Sequence, residues 1–134
     1  MGQTTTDEEE NTMLAKEFHI LGFTLIGRNS TGSLQTQYRR FRGHFGVDWY
    51  ICADLWLLLV PLLADEHYFR GAKPKHLLWT LLFLKCYDTE VVLSARVHAD
   101  EKTFRKWIWM FVDLLSYLSG DLVSGSDLYL YLHY

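Results

Sequence analysis

The residues best equipped for chemistry in this chain sit in one short run, Asp100-Glu101-Lys102-Thr103-Phe104-Arg105-Lys106-Trp107. Lys102, Arg105 and Lys106 are cationic donors, and Thr103 adds a hydroxyl. Such groups hold phosphate oxygens, and the planar guanidinium fork also matches the acceptor edge of guanine. Arg96 lies just upstream; from Arg96 to Trp107 four basic residues outnumber Asp100 and Glu101, a net of +2. Phe104, Trp107 and Ile108 occupy a separate stripe at helical spacing, which leaves the basic side chains free to point out of a core. The chemistry on offer is anion contact, with DNA phosphates and base edges as its target. A helical hairpin whose basic face is merely solvated has the same pattern, so the run alone leaves both readings open.

Other constellations are thinner. Arg39, Arg40 and Arg42, with Tyr38 and His44 nearby, read first as a solvated face and second as additional phosphate contacts. The six histidines are scattered without an H-x-x-x-H spacing or a Cys/His cluster, so no metal site is expected. Cys52 and Cys86 lie inside apolar runs without C-x-x-C spacing and read as two reduced core thiols of an intracellular protein. There is no glycine-rich phosphate loop and no serine nucleophile elbow, and no cofactor is implied.

The elements that must position the basic run are helices. Leu34 to His44 reads as a basic helix with Tyr38, Phe41 and Phe45 on one face. Asp48 is a good N-cap for a second helix, from Trp49 to about Leu63. Pro74 opens a third that ends near Tyr87, proline being favoured at the first helical position. Both are apolar on nearly all sides, as core helices are. A short fourth helix starts at Asp88 or Thr89 and ends near Arg96. Val97-His98-Ala99-Asp100 forms a turn, and Asp100 caps a fifth helix from Glu101 to about Ser119. Its inward stripe is Phe104, Trp107, Ile108, Phe111, Leu115 and Leu118, and Gly120 is a natural stop. The expected fold is an all-α bundle of about five helices ending in a helix-turn-helix-like unit at residues 89–119.

Ahead of that domain, residues 1–33 read as an acidic leader and linker, partly disordered. Met1 to Asn11 is polar, Thr12 to Ile26 carries a short helix with Met13, Leu14, Phe18 and Leu21 inward, and Gly27 to Ser33 places a domain boundary. Residues 120–134 form a tail in which Leu128 to Leu132 alternates like a strand. A composition of 49% hydrophobic and 22% charged residues is that of a globular protein with a single core. Net charge is only −3, in alternating blocks: residues 1–20 hold one Lys and five acids, residues 28–47 hold four Arg and no acid, residues 48–66 hold four acids, and residues 70–87 hold one Arg and three Lys and no acid. The chain as a whole is therefore no polyanion binder, and any such role falls to local patches. The longest uncharged apolar run, Leu55 to Ala64, is too short to span a membrane, for which about 20 residues are needed.

The stretch PKHLLWTLLFLKCYDTEVVLSARVHADEKTFRKWIWMFVDLLSYL, preceded by YRRFRGHFGVDWYICADLW, resembles the N-terminal part of Harbinger-type DDE transposases and their domesticated relatives, over roughly Tyr38 to Leu118. Its most specific piece is the basic run at 100–107. The resemblance implies a helix-turn-helix-like module that binds double-stranded DNA at transposon ends, ahead of a nuclease domain, and hence a nuclear location. It makes Lys102, Thr103, Arg105, Lys106 and Arg96 the expected DNA contacts. One departure is in the turn, where such units commonly carry Gly followed by Val or Ile. Here His98 and Ala99 stand there, and His98 is unfavourable if the backbone needs a positive φ. The nuclease would need three carboxylates on an α/β core holding two metal ions, and that core would have to follow Leu118. Asp113, Asp121 and Asp127 have no such scaffold around them and read as solvated or capping acids. The expected protein is a transposase-derived DNA-binding module without catalysis of its own. The alternative is a helical protein-interaction or structural domain, and the helices apolar all round further suggest self-association or a partner protein.

Overall fold

The computed structural model describes residues 2–27, 31–64, 70–86 and 88–121. Their regular structure is all helical: α1 (Gly2–Leu25), α2 (Leu34–Phe45), α3 (Trp49–Leu59), α4 (Pro74–Cys86), α5 (Glu90–Arg96) and α6 (Glu101–Asp121), with a 3-10 turn at Leu62–Ala64. The alternating stretch Leu128 to Leu132 lies outside the described residues.

Four N-termini form where side-chain oxygens meet orphan amides. Ser33 Oγ accepts from the Thr36 N–H at 3.2 Å, and Thr89 Oγ1 from that of Val92 at 3.2 Å. Asp48 Oδ1 accepts from the Tyr50 and Ile51 amides at 2.9 and 3.0 Å, and Asp100 Oδ2 from those of Lys102 and Thr103 at 3.1 and 3.3 Å. Pro74 is the first residue of α4, as expected. Helix α3 stops at Leu59, short of the expected Leu63, because Pro61 has no N–H to continue the ladder and the chain tightens into a 3-10 turn. Helix α6 runs through Gly120 to Asp121.

Helix α4 is the centre of the bundle. Every residue from His76 to Leu82 is buried, and α4 packs against α1, α2, α3, α5 and α6. That enclosure is why its sequence leaves no polar face. The inward stripe of α6 is buried throughout, Phe104, Ile108 and Phe111 completely.

The N-terminal segment differs from the expected partly disordered leader. Residues 2–25 form one continuous helix that packs along α3, and it is part of the core. Ala15, Phe18 and Phe23 are buried, whereas Met13, expected inward, is 71% exposed. The Asn11 side-chain amide donates to Asp54 at 2.8 Å, and the His19 ring meets Trp49 at 4.4 Å, so α1 runs antiparallel to α3. Once the packed turns exist, each further residue adds a bond without a new nucleus, which extends the helix into the polar, acidic segment expected to be disordered. The helices on either side of the expected boundary at Gly27 to Ser33 are in contact, His19 bonding to Gln37 at 2.8 Å and Phe23 lying 6.0 Å from Phe41.

Candidate nucleic-acid interface

Helices α4, α5 and α6 pack on one another and build the unit that carries the basic run. The turn between α5 and α6 spans 97–100, as expected. It is a Schellman closure: the His98 N–H donates to the Ala95 carbonyl at 3.1 Å and the Ala99 N–H to that of Ser94 at 2.9 Å. His98 sits at φ +58, the left-handed region that suits glycine. A non-glycine residue there is disfavoured by roughly 1–2 kcal/mol, partly offset by the lower chain entropy it brings to the unfolded state. His98→Gly is therefore expected to raise unfolding stability by about 0.5–1 kcal/mol, read as a higher urea midpoint at unchanged slope.

Phe104, Trp107 and Ile108 anchor the first turns of α6 in the core, and this orients Lys102, Thr103, Arg105 and Lys106 outward, all exposed. Arg96, at the last position of α5, is exposed as well. The five expected contacts thus share the α5–α6 hairpin, but they are not equivalent. The Arg105 guanidinium donates through Nε to Glu90 and through Nη2 to Glu101 at 2.9 Å. Glu90 also accepts from Trp109 Nε1 at 3.4 Å. The Arg105 hydrogen bond, helped by that of Trp109, holds the Glu90 carboxyl below its ordinary range. Arg105 thus ties α6 to α5. Asp100 spends its carboxylate on the α6 cap. Among the described residues Lys102 and Lys106 have no carboxylate within ion-pair distance. Glu90, fifteen residues from Arg105, has no local pattern that would announce the pairing.

Arg39, Arg40 and Arg42 are placed apart from this hairpin. They sit on α2, which packs against α4, and Arg40 donates to the Thr31 carbonyl at 3.3 Å. Lys73 and Lys75, which the basic run did not single out, flank the start of α4 beside Lys106. The His76 ring stacks on Trp107 at 4.1 Å with planes 5° apart, and Lys106 Nζ lies 4.9 Å over the Trp107 ring. Lys75 Nζ stands 5.5 Å over Trp79, itself edge-on to His76 at 4.9 Å. The Lys73 N–H donates to His76 Nδ1 at 3.0 Å. Burial, then the charges of Lys75, Lys73 and Lys106, lower the His76 pKa to about 4.

Cys52 and Cys86 are both free thiols. Cys52 is buried, and Cys86 Sγ–H points at the His44 carbonyl at 3.5 Å. Among the described residues no three His, Cys, Asp or Glu side chains are grouped to hold a metal ion, and no helix is long and apolar enough to cross a membrane. Comparison of the chain with protein-family models, with curated proteins and with solved structures finds no match in any of the three.

Proposed function

We propose that this protein is a double-stranded-DNA-binding module of helix-turn-helix type, derived from a Harbinger-type DDE transposase and without catalysis of its own. The observation that carries the reading is the start of α6, where Lys102, Thr103 and Lys106 are exposed while Phe104, Trp107 and Ile108 hold the helix in the core. In a helix-turn-helix unit the first turns of the second helix meet base edges and phosphates, and those turns here present ammonium groups without carboxylate partners among the described residues. A nuclear location goes with this reading.

The roles of the five basic-run candidates divide accordingly. Lys102 and Lys106 make phosphate contacts, Thr103 adds a hydroxyl donor, and Arg96 extends the surface along α5. Arg105 acts first as the brace between α5 and α6. Lys102→Ala/Lys106→Ala should flatten the dependence of log K on log salt by about 2, one contact per lysine. Arg105→Ala should leave that slope nearly unchanged. Fluorescence titration of a short mixed-sequence duplex at several salt concentrations measures both. A double variant that binds with the parent's affinity and slope removes the proposal.

A protein-interaction or structural role is the second reading, and one observation favours it. Beside Glu90, the exposed surface of α5 and α6 carries Val91, Val92, Trp109 and Tyr117, each at least 46% exposed. Apolar surface of that kind serves a protein partner or a second copy. The same titration separates the two, since this reading requires no salt-sensitive affinity for duplex DNA.

A further inference from the structure

Lys73, Lys75 and Lys106 belong to three different contexts in the sequence, a loop, a helix start and a second helix, and the fold gathers them. The His76, Trp79 and Trp107 rings form the floor of the cluster. Lys106 lies over Trp107, Lys75 over Trp79, and the Lys73 backbone is bonded to the ring between them. The floor is rigid: His76, Trp79 and Trp107 are 4%, 4% and 6% exposed. Lys73 and Lys106 are exposed and Lys75 half-buried. None of the three has a carboxylate within ion-pair distance among the described residues, unlike Arg105, which has two. The amino end of α4 points its dipole into the same region, adding partial positive charge. Like charges brought together oppose folding, and an anionic ligand held among them would relieve that repulsion. The depressed His76 pKa has burial as its first cause, and the charges of Lys75, Lys73 and Lys106 add to it, in keeping with three ammoniums around one ring. Lys102 stands one helical turn before Lys106 on α6, and so joins this cluster to the first turn of the same helix.

We propose that Lys73 and Lys75 contact the phosphate backbone of duplex DNA together with Lys106, extending the binding surface from the first turns of α6 across the start of α4. This rests on the DNA-binding reading and adds a second helix to it. The ligand is the sugar-phosphate backbone and not the bases, since ammoniums over a closed aromatic floor offer point charges without a fork for base edges.

The test titrates the full chain with the short mixed-sequence duplex at several salt concentrations, comparing the parent, Lys73→Ala/Lys75→Ala, Lys102→Ala/Lys106→Ala, and a control losing the same charge elsewhere, Lys16→Ala/Lys85→Ala. The expected result is that the Lys73/Lys75 variant loses about 2 from the salt slope and weakens equally for unrelated duplex sequences, while the control stays near the parent. Lys73→Arg/Lys75→Arg, which keeps the charge, should retain binding and so excludes a folding defect. A second readout is the His76 imidazole resonance, whose pKa should rise in the presence of duplex as phosphates neutralise the three ammoniums. If the parent binds no DNA, both readings fall. If Lys102→Ala/Lys106→Ala weakens binding but Lys73→Ala/Lys75→Ala matches the control, only the extension across α4 falls.

Discussion

Gly22→Ala is expected to destabilise this protein by up to about 2 kcal/mol net, against the usual direction of such a change in a helix. Gly22 is buried in α1, and a Cβ there would stand 2.2 Å from Phe41 Cε2 and 3.0 Å from two further ring atoms. Carbon atoms pack at about 3.5–4.0 Å, so the ring would have to retreat by more than 1 Å. It has nowhere to go: Phe41 is fully buried, with Phe45 at 4.7 Å and Trp49 at 5.4 Å. Overpacking of this kind costs about 1–3 kcal/mol and exceeds the helix-propensity gain of about 1 kcal/mol. Gly43→Ala is the matched control. It lies in α2, and no atom stands within 4 Å of its added Cβ, so it should stabilise by about 0.5–1 kcal/mol. Urea unfolding of both variants, with Gly22→Ala/Phe41→Leu added, gives the coupling directly; the double variant should cost less than the sum of the singles. If Gly22→Ala proves as stabilising as Gly43→Ala, α1 is not seated on α2.

Acid should weaken the fold by about 2–3 kcal/mol through His76 alone. The folded pKa of about 4 lies below the ordinary value of 6.5, because the neutral ring is buried and flanked by Lys75, Lys73 and Lys106. Its Nδ1 accepts the Lys73 N–H, so the neutral form carries its proton on Nε2, and protonating Nδ1 would set two donors against each other. The unfolded chain takes up its proton first as pH falls. Stability from this group is therefore complete above pH 6.5, declines between 6.5 and 4, and levels off below. Urea unfolding across that range should show the decline in the parent and lose this part of it in His76→Phe, which keeps an aromatic ring on Trp107 and cannot titrate. Identical pH dependence of the two chains would show that His76 is not the group responsible. Because the same lysines depress His76 and form the proposed phosphate surface, duplex DNA should also narrow the acid-sensitive window.

Much of this arrangement is legible locally. Asp48 and Asp100 announce helix starts, and the choice between Asp88 and Thr89 brackets a third, since a carboxylate or hydroxyl next to an apolar periodic run has orphan amides within reach whatever the tertiary fold. Pro74 and the stripe from Phe104 to Leu118 are of the same kind. The α5–α6 turn could be placed from spacing, whereas the left-handed backbone at His98 is raised only as a condition by the family resemblance and is given by the structure. The limits of α3 were less so, because its apolar pattern runs on through Pro61 and does not show that the ladder breaks there.

The helical class, the caps, the inward face of α6 and the outward placement of Lys102, Thr103 and Lys106 are local properties, because each follows from capping chemistry or the helical period acting within a few turns of one helix. Three further features arise from packing between helices. Helix α1 joined the core instead of leading into it, since it buries Phe18 while packing on α3 and α4, and the notch that requires Gly22 is made by Phe41 of α2. Arg105 became a brace because Glu90, distant in sequence, arrives from α5. And Lys73 and Lys75 came to stand beside Lys106 because α4 and α6 pack through His76 and Trp107, a stacking of two aromatic rings 31 positions apart that no local pattern encodes.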